Sequence, residues 1–310
     1  MNDEEIKNFV LLWREKKETA SEISCIAQLL NEKQKQIDIY KYSIDMCGTG
    51  GDKSNTFNIS TLSAIVVSSM GVPVIKHSGR STTSISGSVD ILSGFGLKVD
   101  IDNKVKENCF KKNNLMFVSS KVLREVFGNV KKNCKELNIP AFVNLLGPLT
   151  NPYGTSYRLL GVCSIEWGKL LAESISSLKN KHAIVVCCKV SESVFLDELS
   201  FCGVNYIWEI KNNEVSEKKL NPEDLGCKII ALQELAIKTT FDAKEIFENI
   251  LKGKFNKNDP KSSVVALNAG AALYLKNIVK SVQEGYKQAL LHIQSGKSWE
   301  HFQNFLNCNK

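Results

Sequence analysis

The stretch from Cys47 to Thr61, reading CGTGGDKSNTFNIST, constrains this chain more than any other. It follows the short run Ile44-Asp45-Met46 and precedes the apolar run Leu62 to Val67, which predicts a buried helix. Glycines let a backbone turn sharply and approach a ligand, so successive N–H groups can converge on one anion. Asn58, Ser60 and Thr61 then bring amide and hydroxyl groups to the helix start, where unpaired N–H groups favour phosphate. A lone GxGG would serve equally well for a surface turn. The consistent chemistry that continues to the helix start is what points to a phosphate site.

A second cluster runs from Lys76 to Asp90 and also lies at a strand-to-helix junction. Lys76 and Arg80 supply positive charge, and seven hydroxyls and two glycines supply anion-binding groups. In an open α/β sheet, ligands collect at the carboxyl ends of strands. A third element, Phe195-Leu196-Asp197-Glu198-Leu199-Ser200, sets adjacent acids in an apolar context. Mg2+ suits such a pair, because it takes one or two carboxylates and fills its shell with water and substrate phosphates. A solvated acidic pair at a loop edge is the alternative for these residues alone. The fourth element, Asn144 to Pro152, reads as a rigid turn fixed by Pro and Gly. Ser295-Gly296-Lys297-Ser298 ends like a P-loop, but Leu291 stands where the leading glycine belongs and a helix pattern precedes it, so it reads as a helix terminus.

Elsewhere the chain alternates strand-like and helical runs. Residues 4 to 36 predict two helices with a new start at Thr19-Ala20-Ser21-Glu22. Strands are expected at Val72–Lys76, Leu115–Val118, Ala183–Cys187 and Tyr206–Ile210. Helices are expected at Ser263–Lys280 and over Ser281–Leu306. The fold class is therefore α/β: a small N-terminal helical domain over 1–40, completed by a segment near 120–150, and an α/β domain over 41–310 with a mainly parallel central sheet.

Composition narrows the function. No window reaches eighteen uncharged apolar residues, and the acidic N-terminus is unlike a secretory signal, so a cytoplasmic protein without membrane contact is expected. The net charge of +7 favours anionic ligands, yet the lysines are interspersed with acids and no arginine-rich aromatic run points to nucleic acid. Ten cysteines include no CxxC pair; Cys163, Cys187 and Cys188 lie in strand-like runs and read as reduced core residues.

Taken in order, GTGGD with NIST, the Lys76-His77 loop running into Gly87-Ser88-Val89-Asp90, NLLGPLTNP and the Asp197-Glu198-Leu199 pair make the chain resemble the anthranilate phosphoribosyltransferase family, from about residue 6 to the end. The segment Leu267 to Tyr274 is similar to that family too. The resemblance implies Mg2+-dependent phosphoribosyl transfer from phosphoribosyl pyrophosphate to the amine of anthranilate, with release of pyrophosphate, a step of tryptophan biosynthesis. It places the substrate on Gly48, Gly51, Asp52, Thr56, Asn58, Ser60, Thr61, Lys76 and Ser88. It places Mg2+ on Asp197 and Glu198, with Ser60 nearby, and implies a homodimer and no covalent nucleophile.

The acceptor side departs from the family pattern. Ser78-Gly79 stand where the family carries Gly-Asn, leaving His77 and Gly79 on that wall. Cys134 takes the place of an arginine that pairs with the acceptor carboxylate, with Lys131, Lys132 and Lys135 beside it; a lysine supplies charge there but not a bidentate fork. A His-Pro segment is replaced within Ser119–Glu125, and the N-terminus is one or two helices shorter. Transfer to another aromatic amine or nitrogen heterocycle is the alternative these changes raise. A pyrimidine nucleoside phosphorylase, or a binding protein without catalysis, is a further one.

Overall fold

The computed structural model describes residues 2–33, 40–52, 54–79, 87–98, 101–119, 121–139, 142–178, 180–256 and 259–309. Helix α1 (Asp3–Lys16) begins with a reciprocal cap: Asn2 accepts the Glu5 N–H while the Glu5 carboxylate accepts the Asn2 N–H, both at 2.9 Å. Helix α2 (Ala20–Glu32) begins the same way at Thr19 and Glu22, as its sequence signature requires. Their apolar stripes, with Ile6, Val10, Ile23 and Leu30, share one core cluster with Phe142 to Leu146 and with one face of the sheet.

That sheet contains β1 (Ile44–Gly48), β2 (Val74–His77), β3 (Leu115–Val118), β4 (Tyr157–Gly161) and β5 (His182–Lys189). These five run parallel in the spatial order β3-β2-β1-β4-β5. Short β6 (Phe195–Leu196) pairs antiparallel with the end of β5. The hairpin of β7 (Val204–Lys211) and β8 (Glu214–Leu220) completes that side antiparallel. Asn212 and Asn213 turn the hairpin at φ 53° and 66°, left-handed values that Asn tolerates. Strand β8 is exposed and charged, which discourages further pairing at the edge.

Alternation along the strands divides the core. Ile184, Val186 and Cys188 face α3 (Ile59–Ser69) and α10 (Pro260–Leu275), in a core cluster that also takes in α5 (Asn103–Asn113) and α9 (Thr240–Leu251), whereas Ala183, Val185 and Cys187 face α8 (Ile165–Ser176) and the N-terminal helices. Cys187 and Cys188 are buried in the core as expected, Cys163 is only half-buried and borders the cleft described below, and all ten cysteines are free. Helix α10 packs directly on α11 (Val282–Gln294) through glycines: a Cβ on Gly270 would meet the Tyr286 nitrogen at 2.3 Å. Among the described residues, no helix is long and apolar enough to cross a membrane.

Several boundaries differ from expectation. The helix expected to reach Lys280 ends at Leu275, followed by a turn with Asn277 at φ 55°. The stretch Ser281–Leu306 is two helices, α11 and α12 (Lys297–Cys308), broken where Gly296 adopts φ 70°. The Ser-Gly-Lys-Ser tetrad is thus a helix terminus, as read. Four strands, β1, β4, the two-residue β6 and β8, escaped the sequence reading. Strand β4 carries the buried Arg158, which interrupts its apolar pattern and donates to the Pro148 carbonyl at 2.7 Å. Strand β8 has no buried face to show.

Candidate functional site

A cleft of about 800 Å³ opens beyond the carboxyl ends of β1 and β2. Its floor is the glycine loop, with Gly50 at φ 69° and Gly51 at φ 89°. Gly48 and Gly161 lie side by side in the sheet register. A Cβ on Gly48 would stand 2.1 Å from Asp197 Oδ2, and one on Gly161 would stand 1.5 Å from the Asp197 carbonyl oxygen. Glycine at both positions therefore admits the acidic pair beneath the loop. The Gly50 N–H donates to Asp197 Oδ2 at 2.7 Å, and the Ser60 N–H donates to Glu198 Oε1 at 3.1 Å. Both carboxylates thus meet the phosphate-type loop and the first turn of α3.

Lys76 lies beneath this floor, 1% exposed, donating to the Met46 carbonyl at 2.6 Å and to Ser60 Oγ at 3.1 Å. The Thr61 hydroxyl donates to Ser88 Oγ at 3.0 Å, joining α3 to α4 (Ser88–Gly94). Asp52 braces its own loop by accepting the Ser54 hydroxyl at 2.7 Å. Burial, then the charge of Asp52, pushes the Asp197 carboxyl up to about 7; burial, then Asp197, pushes Glu198 up to about 8. Two adjacent half-buried carboxylates raised in this way are a setting that a cation would relieve. Among the described residues no group of three or more His, Cys, Asp or Glu converges. Two carboxylates with the Ser60 hydroxyl offer hard oxygen donors, which fits Mg2+ completed by water and substrate.

The NLLGPLTNP turn has a structural task that its sequence did not disclose. Asn151 donates from Nδ2 to Asp45 Oδ2 at 2.8 Å and to the Ile75 carbonyl at 2.9 Å, and Asp45 Oδ1 accepts the His77 N–H at 2.8 Å. The turn thereby fixes the ends of β1 and β2, and with them His77. Burial lowers the His77 pKa and keeps its ring neutral. Its Nδ1 is buried with no partner among the described residues.

Helix α6 (Lys121–Glu136) forms the facing wall, contributing Leu123, Phe127 and Lys131 among others. Cys134 borders the cleft from behind at 1% exposure, its thiol pushed up by burial. Gly79 borders it with open space where a side chain would stand. Every proposed site residue that precedes the acidic pair in the chain (Gly48, Gly51, Asp52, Thr56, Asn58, Ser60, Thr61, Lys76, His77, Gly79, Ser88 and Cys134) borders this cleft together with Asp197 and Glu198. Lys53, Arg80 and the hydroxyls of 81–86 lie outside the described residues. Sequence reasoning treated Lys131 only as a flank of Cys134 and overlooked Phe127. The amphipathic period of α6 was the available signal, but it does not say which polar residue faces a cleft.

A family model described as "Glycosyl transferase family, a/b domain" matches residues 41–299. The anthranilate phosphoribosyltransferase of Petrotoga mobilis is 34% identical over 310 residues, covering 98% of this chain and 88% of that protein. The protein of the same name from Halalkalibacterium halodurans is 33% identical, covering 97% of this chain and 86% of the relative. Among solved structures, anthranilate phosphoribosyltransferase from Thermus thermophilus superposes with a TM-score of 0.87 at 27% identity, covering 100% of this chain and 91% of that one. The Saccharomyces cerevisiae enzyme in complex with PRPP and Mg superposes with a TM-score of 0.85 at 26% identity, covering 99% and 85%.

Proposed function

The chain belongs to the anthranilate phosphoribosyltransferase family, and from that premise we propose that it transfers phosphoribosyl from phosphoribosyl pyrophosphate to the amine of anthranilate, releasing pyrophosphate, with Mg2+. The observation that carries this reading is the Asp197-Glu198 pair bonded to Gly50 and Ser60 at the start of α3. A cation site and a phosphate site that share a floor are what a pyrophosphate leaving group needs.

In this reading the N–H groups of the glycine loop and the hydroxyls of Ser60, Thr61 and Ser88 hold the diphosphate, with Thr56 and Asn58 beside them. Lys76, anchored under Ser60, fixes that hydroxyl and adds positive charge. Mg2+ bound at Asp197 and Glu198 supplies charge neutralisation for the departing pyrophosphate. The amine nitrogen forms the new bond to the anomeric carbon with inversion as the bond to pyrophosphate oxygen breaks. Such a centre needs positioning more than covalent help. Cys163, a thiol at the cleft, is pushed up to about 11 by burial, and Cys47 is raised as well, so neither is a ready nucleophile.

The same reading keeps 1–40 as a helical domain completed by α6 and α7 (Val143–Leu146), apart from an α/β domain over 41–310. The ion pair from Lys7 to Glu136, at 2.9 Å, supports that grouping. It also keeps a homodimer, supported by the apolar face that α1 leaves exposed at Phe9, Leu11 and Leu12, and a cytoplasmic setting, supported by ten unpaired cysteines. The deciding experiment is pyrophosphate release from phosphoribosyl pyrophosphate and Mg2+, with and without anthranilate. Anthranilate-dependent release is expected; its absence with the donor bound would refute this acceptor.

A further inference from the structure

The wall of the cleft opposite the glycine loop contains cations that the donor site does not use: Arg124, Lys131, Lys132 and Lys135 all border it. Lys131 projects from α6 into the cleft, and among the described residues no carboxylate, hydroxyl or carbonyl pairs with its ammonium. Its neighbour differs: Lys132 pairs with Asp3 at 3.4 Å and with Glu136 at 3.9 Å. Glu136 in turn is taken by Lys7, so the acids of this face are committed away from Lys131. Lys131 is open to the cleft yet surrounded by enough protein to lower its pKa, burial being the cause. An ammonium on a concave, basic wall without a counter-charge favours an anionic ligand.

The surroundings define that ligand further. Leu123, Phe127 and Val143 border the same cleft and suit a flat apolar ring. Neutral His77 lies across from them and feels the charge of Lys131. Cys134 cannot serve as the anion partner, because its neutral thiol is buried behind the wall.

We propose that Lys131 is the specificity residue for the acceptor, pairing with a carboxylate on an aromatic ring that lies among Leu123, Phe127 and Val143. The proposal rests on the transferase reading above and assigns the acceptor's charge to one residue. Lys131 sits on an exposed helix face, so its replacement leaves the core intact.

The test compares the parent with K131M, K131R and K135A, using anthranilate and its uncharged analogue 2-aminobenzamide. A charge-assisted pair contributes enough that K131M should raise KM for anthranilate by about tenfold to a hundredfold. Its kcat and its KM for phosphoribosyl pyrophosphate should stay within about twofold, as should every constant of K135A. K131R should recover most of the loss, and 2-aminobenzamide should be used no less well by K131M than by the parent. An unchanged anthranilate KM in K131M, or the same loss in K135A, overturns the assignment. If the parent does not turn over anthranilate, calorimetric binding of anthranilate with Mg2+ and pyrophosphate separates the two readings. Binding weakened by K131M sustains the role of Lys131 while refuting the reaction; equal binding, or none to the parent, refutes the role.

Discussion

The main chain of Asp197 runs so close to Gly161 that a Cβ there would stand 1.5 Å from the Asp197 carbonyl oxygen. The contact joins the end of β4 to the residue just past β6, and it sets the height at which the acidic pair meets the glycine loop.

Gly161→Ala should therefore displace the pair. Overpacking against a rigid backbone costs about 1–3 kcal/mol, and misplaced carboxylates should lower pyrophosphate release by about a hundredfold. Urea unfolding and steady-state assays check the two effects separately. A variant with parental turnover would show that the position of the pair is not set by this contact.

Asp197→Asn combined with Glu198→Gln should abolish turnover without unfolding the protein. Burial pushes both carboxyls upward, to about 7 and about 8, so the neutral amides remove a cost of folding. In metal-free buffer the double variant should melt no lower than the parent. Parental activity in the double variant would refute the cation site.

Lys76→Met should weaken phosphoribosyl pyrophosphate binding by about tenfold or more, since it deletes the ammonium bonded to Ser60 Oγ. Calorimetric titration with the donor and Mg2+ reads this directly. Unchanged donor affinity would confine Lys76 to a structural role at the Met46 carbonyl.

Glu209 links stability to pH far from the cleft. Its carboxylate accepts from His182 Nε2 at 2.6 Å, Lys218 Nζ at 2.7 Å and the Tyr274 hydroxyl at 2.9 Å. The His182 bond foremost holds its pKa down to about 2 from 4.5. A depressed carboxylate contributes stability that is complete above the unfolded value and lost as pH falls through the window from 4.5 toward 2. The contribution is at most about 3 kcal/mol. Urea unfolding of the parent and Glu209→Gln should show a larger acid loss in the parent across that window. Parallel curves would dissociate Glu209 from acid stability.

Much of this architecture was legible because local physics writes it locally. Thr19 and Glu22 specify a helix start through their own backbone and side-chain groups. The unbroken apolar run Ala183 to Cys188 announces a strand buried on both faces, and Gly50 and Gly51 announce a turn that few other residues adopt. Arg158 hid β4, because a charged residue buried by a distant carbonyl looks like an interruption until that carbonyl is placed.

By itself, then, the sequence determined many of the elements, the glycine-rich loop and the adjacency of the two acids. Only the tertiary structure decided that Gly50 and Asp197 share a hydrogen bond across 147 positions, that β4 inserts between β1 and β5, and that Lys131 is exposed at the cleft while Cys134 is buried in its wall. Caps, turns and periodicity depend on neighbours within a few residues. Strand order and the direction of one lysine depend on how all the packed layers fit together, and no local pattern encodes that.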